Sequence, residues 1–438
     1  WEKSYWFVLA VVLVVIVYYN LISSIPTMHT HVMKENTRMK LELQQRTEGI
    51  HDKSDCIDHS KELESCENQL RNVERQRNNL ELMVQRNNDL SDPSVISNPI
   101  TVPGPVFSSN FESHFDDDAP LPILILCHNR VDYLKRTLDN ILELNPSLQK
   151  FPIIVSQDGS HKEVWEVINS PQYYDKVVGI QLINRGTQPK SYHYIAQHFK
   201  FAIGTVLDKL QFSDVVILED DMLVAPDFFH YFLRMRKLLR EDKTLYTASA
   251  WNDNGQNEHG RDGKKLKRSD FFPGLGWIMT KDLWNELGPK WPPGYWDDWM
   301  REPEQRKGRH CIFPEISRSW TFGEQGSSAG QFWKQYLEPV KLYDGPIIQW
   351  DNEDLSYLDN DTWLWNIKSR LANAVEISSI TQAKEGQSVI LTYTNDRNYE
   401  QLAKSLNIMY DEKAGIHRTA YKGVVYFWKG SNEVYLAQ

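Results

Sequence analysis

Two acidic clusters in this 438-residue chain have the residue types and the setting for chemistry. In "VVILEDDMLVAPD", residues 215–227, Glu219, Asp220 and Asp221 follow directly on an apolar run that reads as a buried strand. Adjacent carboxylates repel and raise one another's pKa unless a cation satisfies them. A hard divalent ion is the natural partner, and such ions keep open positions for phosphate oxygens. The second cluster is "GYWDDWM", where Asp297 and Asp298 stand between Trp296 and Trp299. Carboxylates flanked by large rings are partly desolvated and suited to accept protons, although aspartates in a first helical turn also serve the helix dipole. Downstream, Gly323, Gly326 and Gly330 surround Ser327 and Ser328 in "FGEQGSSAGQFW", a glycine spacing that permits a lid over a substrate.

Composition narrows the ligand. The net charge of -10 argues against nucleic acid, whose phosphates need a basic surface. An anionic substrate then requires a metal or a local basic site. The chain lacks a phosphate-binding G-x-x-x-x-G-K-[ST] loop, an H-E-x-x-H zinc motif, a C-x-x-C pair and a G-x-G-x-x-G after a strand. Nucleotide hydrolysis, zinc catalysis and Rossmann-type redox chemistry are disfavoured.

The elements that must position these residues alternate. "LPILILC" reads as a strand, "VDYLKRTLDNILEL" as an amphipathic helix, "FPIIVSQ" and "VVGIQLI" as strands and "SYHYIAQHFKFAIGTVLDKL" as a helix. "DVVILE" is the next strand, followed by a helix opened by Pro226 and Asp227, both favourable in a first turn. Such alternation predicts a parallel sheet covered on both faces, with ligands at the carboxyl ends of its strands. Arg130, Asp158 and the Glu219–Asp221 cluster all follow predicted strands, so three strand ends point polar groups at one crevice.

Residues 5–22, "YWFVLAVVLVVIVYYNLI", contain no acidic or basic residue. Eighteen residues rise about 27 Å, enough for a bilayer core, and the run reads as an uncleaved signal anchor after a four-residue stub. Residues 23–118 are polar and read as a stem. Cys56, His59, Leu63, Cys66, Leu70, Val73, Arg77, Leu80 and Val84 fall at alternating spacings of three and four, an imperfect heptad seam. On one helix Cys56 and Cys66 stand about 15 Å apart, too far to bridge each other, so the expectation is an interchain disulfide in a stem homodimer. From about residue 347 the strands "SVILTYT" and "GVVYFW" and the helix "NYEQLAKSLNIM" predict a small mixed α/β domain.

"VVILEDDMLVAPDFFHYF", "SAWNDNG", "DFFPGLGWIMTKDLWNELGPKWP", the block from "WDDWMREPEQ" to "GSSAGQF", and "AYKGVVYF" together resemble the N-acetylglucosaminyltransferase I family, in order from about Leu121 to the C-terminus. The resemblance implies a GT-A fold over residues 119–346 with a smaller domain over 347–438. It also implies a Mn2+ cofactor and inverting transfer of GlcNAc from UDP-GlcNAc, in β-1,2 linkage, to the alpha-1,3-arm mannose of Man5GlcNAc2 N-glycans. The location it implies is the Golgi membrane, single-pass, with the catalytic part lumenal. Carried over by position, Asp221 ligates the metal, while Glu219 and Asp220 contact the donor's sugar and ribose side. Arg130, Asp158 and His198 match the uridine-binding residues, and Leu275, Trp296, Ser327 and Ser328 match further donor contacts. Asp297 matches the catalytic base, a choice over Asp298 that spacing alone does not make. Animal members pair cysteines at positions matching His128 with Gly159 and Thr247 with Cys311, so neither bridge forms here, and Cys127 and Cys311 are expected to be free and buried. Two alternatives stay open: an O-mannose-directed relative, which carries an extra lectin-like stem domain, and a non-catalytic metal-dependent carbohydrate-binding protein.

Overall fold

The computed structural model describes residues 119–324, 330 and 332–438. The anchor expected at 5–22, the stem at 23–118 with Cys56 and Cys66, and the loop serines Ser327 and Ser328 lie outside the described residues. Among the described residues, no helix is long and apolar enough to cross a membrane.

The alternating pattern folds as the sequence predicts. β1 (Ile123–Cys127), α1 (Val131–Leu144), β2 (Ile153–Asp158), α2 (Lys162–Ile168), β3 (Val177–Leu182), α3 (Ser191–Gly204) and β4 (Asp214–Glu219) succeed one another. α3 is shorter than its amphipathic pattern, because the last turn widens into a π-helix over Thr205–Lys209. β5 (Met222–Val224), α4 (Phe228–Glu241), β6 (Leu245–Ala248), β7 (Leu266–Ser269) and β8 (Trp277–Thr280) follow. The sheet has the order β3-β2-β1-β4-β8, parallel except for β8.

Alternate residues of each strand feed two cores, which is why the strands read as unbroken apolar runs. Ile123, Ile125 and Val155 pack with Leu134 and Leu138 of α1 and Phe232 of α4. Leu124, Leu126 and Ile154 pack on the other face with Phe199 and Ala202 of α3. The chain leaves β1 toward β2 and β3 on one side and reaches β4 on the other, so the switch in strand order falls between β1 and β4. The crevice outside the carboxyl ends of strands at such a switch is where ligands gather. Arg130 stands three residues past the end of β1, and the acidic triplet at the end of β4.

α5 (Lys281–Leu287), α6 (Trp296–Arg301), α7 (Pro303–Arg306), β9 (His310–Pro314) and β10 (Ser319–Thr321) come next. β10 pairs antiparallel with β5 as a ribbon beside the acidic turn. The expected first-turn role of Asp227 is corrected here. α4 begins at Phe228, and the fully buried Asp227 carboxylate is held by Arg318 at 3.1 Å and by Trp350 Nε1 at 2.8 Å. A buried carboxylate needs such partners more than a helix dipole needs the charge.

The C-terminal segment contains α8 (Asn360–Asn373), β11 (Val375–Glu376), β12 (Ser388–Thr392), α9 (Asp396–Leu406), β13 (Glu412–Lys413), β14 (Ile416–His417), β15 (Val425–Lys429) and β16 (Asn432–Ala437). A sheet of order β11-β12-β16-β15 packs on α9 through Val389, Leu391, Tyr399, Leu406 and Phe427. Cys127 and Cys311 are free and buried, as expected. Cys311 stands opposite Thr247 in the β6–β9 register, and a Cβ at Gly159 would lie 3.8 Å from the His128 ring. Both position pairs are thus spatial neighbours.

Candidate active site

β4 delivers the acidic triplet, and α1 fixes it in place. Asp220 N donates to Leu126 O at 3.0 Å. The Thr137 hydroxyl donates to Asp220 O at 2.8 Å and accepts from Met222 N at 3.2 Å, so one side chain pins both ends of the turn. Arg130, on the residue before α1, bridges Asp220 and Asp221, the latter at 2.9 Å. One guanidinium therefore balances two of the three acids. Asp220 Oδ2 remains buried without a hydrogen-bond partner. Burial, and then the Asp221 charge, push the Glu219 carboxyl up to about 8 against the pull of Arg130. Burial likewise pushes Asp220 up to about 7. Crowded carboxylates and an orphaned buried oxygen fit a hard cation with oxygen ligands.

The second acidic cluster sits on α6. Tyr295 precedes it in the left-handed conformation, φ 50°. The Trp296 ring is buried, stacked on Phe199 at 4.2 Å and on Trp291 at 5.8 Å, and these contacts fasten the first turn to the core. Asp297 Oδ2 and Asp298 Oδ1 both accept from Arg301 Nη1, at 2.8 and 2.9 Å. The two side chains are 35% and 41% exposed, so Arg301 is their partner where the sequence suggested desolvation by tryptophan rings. The fold separates the two acids. Asp297 adds to the electrostatic load on Glu219. Asp298 instead receives Lys413 Nζ at 3.3 Å. Tyr192, stacked on Tyr295 at 4.9 Å, lies in the same field, its hydroxyl pKa raised by burial and then by Asp297, Asp298, Tyr295 and Glu219.

At the end of β2, Asp158 is buried and accepts from Arg185 Nη1 at 2.8 Å, with burial raising its pKa against that charge. His198 Nε2 and Ser156 Oγ share a hydrogen bond of 2.8 Å. Burial, then the nearby His128 and Arg185, hold the His198 pKa down to about 3, so its ring is neutral. Leu275 lies between Gly274 and Gly276, both at positive φ, and its carbonyl accepts from Ser319 Oγ of β10 at 2.7 Å. β10 then leads to Phe322, whose N–H donates to Asp221 O at 2.9 Å, and to Gly323, which lies against the Asp221 carboxylate.

The structure thus joins Arg130 to Asp220 and Asp221, brings Asp297 within electrostatic reach of Glu219, and places Asp158 and His198 beside Arg185. Leu275 reaches this region through β10, and Trp296 serves the core beneath Asp297. Sequence reading missed Arg185, Tyr192 and Arg301, and it took Gly323 only as part of a lid's glycine spacing, not as a neighbour of Asp221. Only Arg301 had a local signal, since it stands four residues after Asp297 on a helix.

Comparisons with known proteins identify relatives of the chain. Over 317 residues the chain is 41% identical to an Arabidopsis thaliana protein named alpha-1,3-mannosyl-glycoprotein 2-beta-N-acetylglucosaminyltransferase, covering 70% of each sequence. Solved structures give fainter likenesses. A Pyrobaculum calidifontis mannosyltransferase in complex with GDP-Man and Mn2+ is 16% identical with a TM-score of 0.31, covering 54% of this chain and 61% of its own. GalNAc-T7 with UDP, GalNAc and Mn2+ is 14% identical with a TM-score of 0.33, covering 46% of this chain and 44% of its own. The GNT-I family model matches residues 32–438, and with the Arabidopsis relative this establishes that the chain belongs to the GNT-I family.

Proposed function

We propose that this glycosyltransferase moves GlcNAc from UDP-GlcNAc to the 2-hydroxyl of the alpha-1,3-arm mannose of Man5GlcNAc2 N-glycans, with inversion, on a GT-A fold that uses Mn2+. The Arabidopsis relative's name supports the acceptor and the linkage. The proposal includes a GT-A domain over 119–346, a smaller domain over 347–438, and a Golgi-lumenal setting behind an anchor at 5–22. It also includes a stem to residue 118 that joins two copies through Cys56 and Cys66.

The observation that carries the reading is the position of Asp297, electrostatically coupled to Glu219 at a cleft that Arg130, Asp220 and Asp221 also line. Asp221 would hold the metal, with the orphaned oxygen of Asp220 close behind it. When bound, Mn2+ supplies Lewis-acid stabilisation of charge on the departing diphosphate. Arg130 adds a second positive charge on the same side, and with Asp158 and His198 it binds the nucleotide. The neutral His198 ring offers hydrogen bonding rather than charge to the base. Glu219 and Asp220 orient the sugar and ribose. Arg301 fixes Oδ2 of Asp297, and Oδ1 takes the proton from the acceptor hydroxyl as that oxygen attacks C1 from the face opposite the diphosphate.

Product formation from UDP-GlcNAc and Man5GlcNAc2, measured with and without Mn2+ and chelator, tests the reading. Asp221→Ala is expected to lose metal-dependent donor binding. Full turnover in chelator would remove the metal role, and transfer to an O-mannosyl peptide in place of Man5GlcNAc2 would redirect the acceptor assignment.

A further inference from the structure

The β13–β14 hairpin holds side chains that the transfer reaction does not use. Its two-residue turn, Ala414–Gly415, has both φ angles positive, 52° and 75°, the twist that a tight hairpin favours. Glu412 pairs across from His417, and Lys413 from Ile416. Successive side chains on a strand point to opposite faces, so Glu412 shares one face with His417 while Lys413 turns away to Asp298. Asp396, the first residue of α9, completes the shared face. One ligand atom from each of Asp396, Glu412 and His417 lies within 4.8 Å of the other two.

His417 supplies the second observation. Its side chain is buried, with the residue 7% exposed, and it stacks flat on Tyr399 at 3.5 Å. Its Nδ1 is buried without a hydrogen-bond partner. A buried polar atom of this kind calls for something to satisfy it. Burial lowers the ring's pKa against the pull of Glu412, Asp396 and Asp411, which favours the neutral form that metals bind. Asp411 itself is taken by Arg418 at 2.8 Å. One imidazole and two solvent-facing carboxylates form a three-ligand donor set that leaves room for water. Donors sharing a zinc ion sit about 2.0–2.2 Å from it, and the two exposed carboxylates have the freedom to close in to that distance.

We propose that Asp396, Glu412 and His417 form a second divalent-cation site, separate from the Glu219–Asp221 cluster, that takes a borderline first-row ion such as Zn2+. The site fastens the hairpin to the first turn of α9. The same hairpin carries Lys413 to Asp298, and Arg418, the residue after it, is bonded to Asp253 at 2.8 Å. Cation binding would thus steady the hairpin that contacts the base's neighbour.

The test uses the full chain carrying Asp221→Asn, which silences the acidic cluster, stripped of metal and then given Zn2+ alone. One equivalent is expected to bind, and the melting temperature to rise with the logarithm of free Zn2+. Glu412→Gln and Asp396→Asn change exposed residues, so the metal-free melting temperature should hold while Zn2+ binds at least tenfold more weakly. No shift up to millimolar Zn2+, or a shift in either variant as large as in the chain with the intact Asp396, Glu412 and His417, would overturn the proposal. His417→Ala is avoided as the deciding variant because its ring packs in the core.

Discussion

Gly323 lies against Asp221 so closely that a Cβ at position 323 would overlap the carboxylate. The backbone has little freedom to retreat, because β10 is paired with β5 and Phe322 N is bonded to Asp221 O. Gly323→Ala should therefore turn the Asp221 side chain and leave the fold intact. The expected outcome is a melting temperature close to that of the parent and a metal requirement raised about tenfold, with turnover lowered by up to about 10²-fold, as for other small displacements of a reacting group. A Mn2+ titration of activity checks it.

Asp297 and Asp298 share one guanidinium nitrogen yet should behave differently. Asp297→Asn removes the proposed proton acceptor and is expected to lower kcat by about 10²- to 10⁴-fold with the donor KM little changed. Asp298→Asn loosens a contact to Lys413 and should cost less than about tenfold, within the range of a partly exposed ion pair. Steady-state kinetics of both variants decide the assignment. Equal losses would mean that the pair acts as a unit.

His198 is held neutral by burial, with a folded pKa near 3 against an ordinary value of 6.5. The unfolded chain takes up a proton at this residue as pH falls through about 6.5, and the folded chain does so only near 3. The stability contributed by the neutral ring is complete above the unfolded pKa and is lost through that window. Relative to His198→Gln, the parent should lose about 1.4 kcal/mol per pH unit across it. Urea melts of both proteins at several pH values check the slope. A parent-minus-variant difference that stays flat would show that the ring is protonated in the folded state.

Thr247 and Cys311 face each other in the β6–β9 register. Thr247→Cys is expected to form a bridge on air oxidation. Bridges commonly add about 2–4 kcal/mol, less about 1 kcal/mol here for the lost Thr247 hydroxyl bond to Ile278 O. Thiol counting and melting with and without reductant measure it. The reduced variant should melt slightly below the parent and the oxidised one above it.

The legible parts of this molecule are those whose determinants are local. β1 to β4 could be read because burial on both faces leaves unbroken apolar runs, and α1 coincides with its amphipathic pattern. The acidic triplet announced itself by charge density after an apolar strand. β5 and β10 could not be read, because each has only three residues and each pairs with a partner far along the chain. Asp227 was misread for the same reason: its partner Arg318 is 91 residues away. The choice between Asp297 and Asp298 was invisible in "WDDW", since only the folded chain brings Glu219 to one and Lys413 to the other.

The clamp on the acidic turn has a thermodynamic consequence. Thr137 pins the turn at Asp220 and Met222, and the buried Asp227–Arg318 pair anchors the chain a few residues later. The three carboxylates cannot drift apart to relieve their repulsion, so the work of assembling them is done during folding. A cation binding there as proposed would meet a ligand set already in place, and its binding free energy would not be reduced by ordering the loop. Loosening this frame, for example with Thr137→Val, should appear as weaker cation affinity even though Thr137 bonds the main chain of the turn and not its carboxylates. Distant frame residues and metal affinity are in this sense a single linked equilibrium.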